Sequence, residues 1–179
     1  MSSTKSLFAV IRESHVLQRR WCEKLLRHDG AESVREQLFL QLKVELAAHA
    51  AAEERFLYVP LLMTDPGLDV SRHALSEHHD IDELCEDLSV RKKAGARWLK
   101  IARDLSEKVH HHLEEEESKF FKVGGRILSG RKKASLARSY QRELVRMRRA
   151  YAAEYALVGV DADGDVRRAG RSARSRGSS

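Results

Sequence analysis

Histidine, glutamate and cysteine recur along this chain in one register, shifted by 63 residues. Six side chains of types that bind metal ions form three such pairs: His15 with His78, His49 with His112, and Glu53 with Glu116. Cys22 and Cys85 keep the same register, as do Glu54 and Glu117. Helical periodicity alone can align apolar positions, but it would hardly align these polar types. The repeat predicts two helical hairpins, each of which brings two histidines and a carboxylate to a shared centre.

The spacing inside each copy places the ligands on one face of a helix. His49 and Glu53 are four residues apart, as are His112 and Glu116, so each pair lies one turn apart on an otherwise apolar face. Four imidazoles and two carboxylates inside an apolar bundle are costly to desolvate unless they pair or bind cations. The set therefore predicts a site for two metal ions. Imidazole with carboxylate suits iron or manganese, and zinc also fits.

Other polar residues near this set are assigned more peripheral places. Glu54 and Glu117 follow the ligand glutamates directly and are candidates to accept a hydrogen bond from a ligand histidine. His73 is a candidate for an additional metal ligand. His79 and His111 share their helix faces with acidic residues and are interpreted as solvated.

The composition predicts a soluble helical protein. The chain is 34% charged and 42% hydrophobic, which is typical of a folded bundle rather than a disordered chain. No apolar run approaches the roughly 18 residues of a membrane span, and the N-terminal apolar stretch is too short for a secretory signal. We therefore expect a cytoplasmic protein, in which Cys22 and Cys85 are small buried residues rather than a disulfide.

Amphipathic segments and their breaks define the expected architecture. Four helical segments are predicted, at about residues 5–27, 31–58, 69–92 and 96–122. Short links between long helices favour antiparallel neighbours, so the expected fold is all-α, an up-down-up-down four-helix bundle of two repeated hairpins. A fifth, basic C-terminal helix is predicted at about residues 131–157, followed by a disordered tail. The corresponding division is a bundle at 1–122, a basic helix at 123–158 and a tail at 159–179.

The net charge of +6 is unevenly distributed. Residues 1–122 carry 19 Lys and Arg against 22 Asp and Glu, whereas residues 123–179 carry 14 against 5. The basic extension supports an alternative function, a regulator that binds nucleic acid or another anionic partner, with the bundle as sensor or as inert scaffold. A purely structural interpretation of the same basic surplus is that the helix docks on the mildly acidic bundle. A metal-free helical interaction protein is the third alternative.

The ligand motifs resemble those of the hemerythrin-like family of HHE cation-binding domains. The resemblance covers about residues 5–122 and rests on four motifs: His15, His49 to Glu54, Glu77 to His79, and His112 to Glu117. It implies a four-helix bundle around a non-haem di-iron centre with two irons per chain, bridged by an oxo or hydroxo group and by the two glutamates. Family members bind or react with dioxygen, peroxide or nitric oxide, or sense iron and oxygen.

The chain also departs from the respiratory members of that family. Those proteins carry a further histidine four residues before the third-helix ligand, where this chain has Ala74. A centre with one histidine fewer is more open, which favours a sensor, a scavenger or a peroxide-reactive protein over a reversible oxygen carrier. No general acid or base stands out beside the open position, so the sequence makes no prediction about catalytic turnover.

Overall fold

A computed structural model of the 179-residue chain describes residues 5–90, 95–155, 157–160 and 166–168, with side chains up to residue 155. Over these residues the α-helices are α1 Leu7–Arg27, α2 Glu32–Glu53, α3 Val59–Leu62, α4 Asp65–Ser89, α5 Ala96–Glu115, α6 Phe121–Ile127 and α7 Gly130–Glu154. Two π-helical turns, Glu54–Tyr58 and Glu116–Phe120, join α2 to α3 and α5 to α6.

The helices pack as a bundle. Helix α1 lies against both α2 and α5, α4 lies against α5, and α7 lies against α2 and α1. These pairings agree with an all-helical bundle, and the up-down order of the helices stays a prediction. None of the helices in the described part of the chain combines the length and the hydropathy needed to cross a bilayer.

Local sequence signals set most helix ends. The Ser6 hydroxyl accepts a hydrogen bond from the Ala9 amide at 3.3 Å, and the Ser129 hydroxyl accepts one from the Lys132 amide at 3.2 Å, so serine caps α1 and α7. The prolines lie inside helical first turns, where a missing N–H is tolerated. The link between the second and third bundle helices was predicted at about residues 59–68. Most of that segment is helical, in α3 and the first turn of α4, so the link is much shorter than expected.

One corner of the bundle requires glycine. A Cβ atom at Gly67 would overlap the carbonyl oxygen of Leu61 and crowd the hydroxyl of Thr64. The turn between α3 and α4 can be this tight only because residue 67 lacks a side chain.

Two apolar clusters lie on either side of a buried polar layer. One cluster includes Leu57 and Phe120 together with residues of α1 and α7, and the other includes Trp21 and Trp98. The predicted ligands form the layer between them, and each is at most 5% exposed: His15, His49, Glu53, His78, His112 and Glu116.

Helix α7 belongs to the same core as the bundle. Its buried Leu136, Tyr140 and Leu144 lie in one cluster with residues of α1 and with Leu57. The domain boundary after residue 122, drawn from composition, stays a prediction, but the apolar packing continues across it.

Two short strands follow α7, which the all-α prediction did not include. Leu157–Val160 pairs antiparallel with Val166–Arg168, with Leu157 opposite Arg168. The first strand is rich in the β-branched residues that favour extended backbone. The sequence instead predicted the end of the fifth helix and the start of the tail at these positions. Most of the tail predicted to be disordered, 159–179, lies outside the described residues.

Candidate metal centre

The two His-x-x-x-Glu motifs end at π-helical turns. Glu53 is the last residue of α2, directly before the π turn that begins at Glu54. Glu116 is the first residue of the second π turn, and His112 lies one turn earlier on α5. A π turn widens the helix locally and is frequent at functional sites, because it re-aims the side chains around it. Both carboxylates consequently lie in the buried layer.

Two groups of ligand atoms converge there. His15, His49, Glu53 and Glu116 each offer an atom within 4.8 Å of the others, and so do Glu53, His78 and His112. In the first group, the Nε2 atom of His15 lies 3.1 Å from Glu116 Oε2, and that of His49 lies 2.9 Å from Glu53 Oε2. In the second, the Nε2 atoms of His78 and His112 are 3.2 Å apart.

Glu53 belongs to both groups. Its Oε1 atom lies 3.7 Å from His15 Nε2, and its Oε2 atom lies 3.6 Å from His78 Nε2. A carboxylate placed between two sets of imidazoles has the geometry of a bridging ligand. The structure thus brings all six sequence-predicted site residues together, in two sets with one shared member.

Each of the four candidate ligand histidines is held through its Nδ1 atom. The Nδ1 atom of His15 donates to Glu117 at 2.8 Å, and that of His78 lies 3.2 Å from Glu54 Oε1, as the sequence predicted for these two acids. The remaining partners are the Tyr140 hydroxyl, 2.8 Å from His49 Nδ1, and Glu77 Oε2, 3.0 Å from His112 Nδ1. Such partners select the tautomer that leaves Nε2 free for a metal ion.

Two of these partners were missed by the sequence analysis. Glu77 immediately precedes His78 in sequence, but it holds the histidine of the facing helix α5. Tyr140 lies on the predicted fifth helix, for which the sequence indicated no site residue. Neither residue follows the 63-residue register, so the repeat gave no signal for them.

Tyr58 also lies in this site, and no sequence pattern predicted it. Its hydroxyl donates to Glu53 Oε2 at 3.1 Å and lies 3.3 Å from His78 Nε2. The ring is fully buried. Burial, followed by the charges of Glu116 and Glu53, raises the pKa of this phenol well above its usual value, so it remains protonated.

Burial and the contacts within the layer shift the pKa values of its members in both directions. Burial opposes ionisation of both central glutamates, but the neighbouring imidazoles of His49 and His15 lower the pKa of Glu53 well below its usual value. Burial and then the charge of Glu53 raise the pKa of Glu116. Burial also lowers the pKa of His49 and His112, so these two imidazoles favour the neutral form that binds metals.

A structural observation separate from the distances also indicates that these donors fit metal ions. Five buried atoms in the layer make no hydrogen bond to any described residue: His15 Nε2, His49 Nε2, Glu53 Oε1 and both carboxylate oxygens of Glu116. The short distances from His15 Nε2 to Glu116 and from His49 Nε2 to Glu53 do not have hydrogen-bond geometry. Unsatisfied polar atoms are rare in protein interiors and expensive, particularly on charged groups. Cations among these imidazoles and carboxylates would satisfy the atoms and offset the charge.

The other histidines lie away from this layer. The side chains of His79 and His111 are 73% and 60% exposed, which confirms the interpretation that they are solvated. His73 is 62% exposed and bonds to Glu115 rather than to a central ligand. His110 lies beside the Ser106 carbonyl oxygen at 2.7 Å.

A cavity of about 200 Å³ opens beside the layer. His112 and Glu116 line its inner end, while Val70, Ala74 and Phe120 line its apolar wall. Because residue 74 is alanine, no imidazole extends into this space from that position of α4. A small molecule can therefore approach the second ligand set through the cavity.

The sequence model of the hemerythrin HHE cation binding domain matches residues 6–123. The chain belongs to the hemerythrin HHE family. The match confirms the resemblance read from the ligand motifs, and it covers the whole of the hemerythrin-like bundle from α1 into α6. Helix α7 lies beyond it, although Tyr140 of that helix contacts the centre. Searches of curated proteins and of solved structures gave no significant match.

The two cysteines agree with their predicted place. Cys22 and Cys85, which are 63 residues apart in sequence, are both free and buried in the cluster around the tryptophans. Burial raises the pKa of each thiol to about 12.

Proposed function

We propose that this hemerythrin-family protein binds two iron ions per chain in the buried layer and uses them to bind, sense or remove dioxygen, peroxide or nitric oxide. His15, His49, Glu53 and Glu116 would hold one ion, and Glu53, His78 and His112 the other. The observation that carries the proposal is Glu53, which lies in both groups of ligand atoms. Manganese or zinc satisfies the same donors, so the identity of the metal is part of the test.

The surroundings of the centre support reaction with a small molecule. A redox-active metal pair would supply the electrons that such chemistry requires. The protein contributes a cavity that ends at His112 and Glu116, with Val70, Ala74 and Phe120 along its apolar wall. Tyr58 holds a proton beside Glu53 and His78, since its pKa is raised and its hydroxyl is within hydrogen-bond distance of both.

Elemental analysis of protein purified without chelators or a histidine tag tests the metal assignment. We expect about two irons per chain in the wild type, and loss of both when Glu53 and Glu116 are replaced together by Ala. The matched control is His79→Ala, which removes an exposed imidazole next to a ligand. Circular dichroism reports whether each variant is folded. A folded double variant that keeps two irons would refute the assignment.

Absorption spectra of the reduced protein test the small-molecule role. The iron-loaded protein is reduced anaerobically, dioxygen, hydrogen peroxide or nitric oxide is then added to separate samples, and iron oxidation or a new absorption band is expected with at least one. An iron-loaded protein that is unchanged by all three would leave metal binding intact and refute this role.

The alternative, an anionic-partner regulator, has less support. Helix α7 makes ion pairs of both polarities with the bundle: Arg148 of α7 contacts Glu45 at 2.6 Å, and Arg55 of the bundle contacts Glu143 of α7 at 2.7 Å. These pairs favour docking of the helix on the bundle. Filter binding of nucleic acid at two salt concentrations tests the alternative, because phosphate contacts weaken steeply with salt.

A further inference from the structure

A second pair of His-x-x-x-Glu motifs lies outside the buried layer. His73 and Glu77 are one turn apart on α4, and His111 and Glu115 are one turn apart on α5. Residues four apart share a helix face, and α4 packs directly against α5. Two imidazoles and two carboxylates are therefore brought together across the contact between the two helices.

His73, Glu77 and Glu115 each offer a donor atom within 4.8 Å of the others, and His111 lies beside them, nearer to the other carboxylate oxygen of Glu77. The Nε2 atom of His73 lies 2.8 Å from Glu115 Oε2 and 3.7 Å from Glu77 Oε2. The Nε2 atom of His111 lies 3.8 Å from Glu77 Oε1 and 3.9 Å from Glu115 Oε2. Donors bound tetrahedrally at about 2.1 Å from a zinc ion are about 3.4 Å apart. Shifts of about half an ångström would bring these four separations to that value.

Glu77 is the member of this group that lacks a full set of partners. It is only 3% exposed, and its Oε1 atom makes no hydrogen bond to any described residue. The Lys108 ammonium is 3.7 Å from that atom and forms its closer contact, at 2.7 Å, with Asp80. A buried carboxylate oxygen in this condition favours a cation beside it. The two imidazoles are exposed, so a hydrated ion can reach the group from solvent.

We propose that His73, Glu77, His111 and Glu115 form an outer binding site for a divalent transition-metal cation such as zinc, manganese or ferrous iron. Two imidazoles and two carboxylates are a donor set that these ions accept. His73, Glu77 and Glu115 also line the cavity whose inner end is formed by His112 and Glu116. A cation in the outer site would therefore lie at the mouth of the cavity that leads to the inner centre.

Equilibrium dialysis of the full-length protein against increasing free zinc tests the outer site. We expect the double variant His73→Ala/His111→Ala to bind one equivalent fewer than the wild type at saturation. His79→Ala is the matched control, because His79 is as exposed and is also paired one turn away, with Glu83, but on one helix only. It should bind as many equivalents as the wild type. Equal stoichiometry in the wild type and the double variant would overturn the proposal.

A second measurement keeps the test independent of the stability of the double variant. Each single variant, His73→Ala or His111→Ala, should lower the affinity for the last zinc equivalent by more than about tenfold. Tenfold is the lower end of the loss in affinity when a hydrogen-bond partner of a metal ligand is removed. The imidazole NMR signals of His73 and His111, assigned from their loss in the single variants, should shift together as that equivalent binds. Zinc uptake with both signals unmoved would also overturn the proposal. Because only differences between variants are counted, the result does not depend on occupancy of the inner centre.

Discussion

Replacing Tyr140 by Phe should loosen metal binding at the inner centre, although residue 140 lies outside the family-matched segment. The change removes only the hydroxyl that lies 2.8 Å from His49 Nδ1, and both rings are buried. With that partner gone, His49 can rotate or take the tautomer that blocks Nε2. Loss of an outer hydrogen-bond partner typically lowers metal affinity about 10- to 100-fold, which corresponds to about 1.4–2.7 kcal/mol.

The same substitution has an expected effect on stability. In the metal-free protein, the Nδ1 atom of His49 would be left buried without a partner, which costs about 1–3 kcal/mol. Urea unfolding of the metal-free wild type and variant measures this difference. Unfolding of the loaded proteins should show a larger difference, since tighter metal binding to the native state adds to its stability.

Competition with a chelator measures the change in affinity. The wild type and Tyr140→Phe are loaded equally, and the chelator concentration that removes half of the metal is compared. Tyr151→Phe is the matched control, because it deletes the same atom on the same helix about three turns further along. Release from Tyr140→Phe at the wild-type chelator concentration would refute the argument that α7 positions a ligand.

Three further predictions concern the rest of the bundle. Cys22 and Cys85 should resist a thiol reagent at pH 8 in the native protein and react only on unfolding, because burial raises the pKa of each to about 12. Arg148→Ala should destabilise the protein by roughly 3–5 kcal/mol in urea unfolding, since it strips a buried carboxylate, Glu45, of its ion-pair partner. Glu117 has a pKa lowered to about 2, chiefly by its hydrogen bond to a ligand histidine. Its contribution to the stability of the metal-free protein should be complete above the unfolded-state pKa and be lost as the pH falls towards about 2.

Each of these has a control within the chain. Thiol labelling of protein unfolded in urea should reach both cysteines, and rapid labelling of the native form would contradict the burial argument. Arg149→Ala, on the exposed side of α7, should change stability by no more than about 0.5 kcal/mol. Glu117→Gln should flatten the acid limb of the stability curve, while Glu114→Gln, at an exposed position three residues earlier, should leave it unchanged.

The location of the centre was predictable because it depends on local spacing. A repeat of 63 residues and a four-residue interval within each motif specify which positions share a helix face, and any helical hairpin then turns those faces inward. The family assignment, the six convergent side chains and the contacts of Glu54 and Glu117 all follow from the repeat and from the spacing within each motif. The buried thiols follow from the same register.

Other features depend on which surfaces meet. Tyr140 reaches His49 across 91 residues of sequence, and Glu77 reaches His112 across 35, so no periodicity within one helix could assign them. The outer group arises in the same way, from two His-x-x-x-Glu pairs with exposed histidines, which the packing of α4 on α5 brings together. The sequence by itself determined which side chains point towards the bundle interior, since that is a matter of helical phase. Only the tertiary structure decided which atom each of them meets, because the register between helices is set by packing of the whole core.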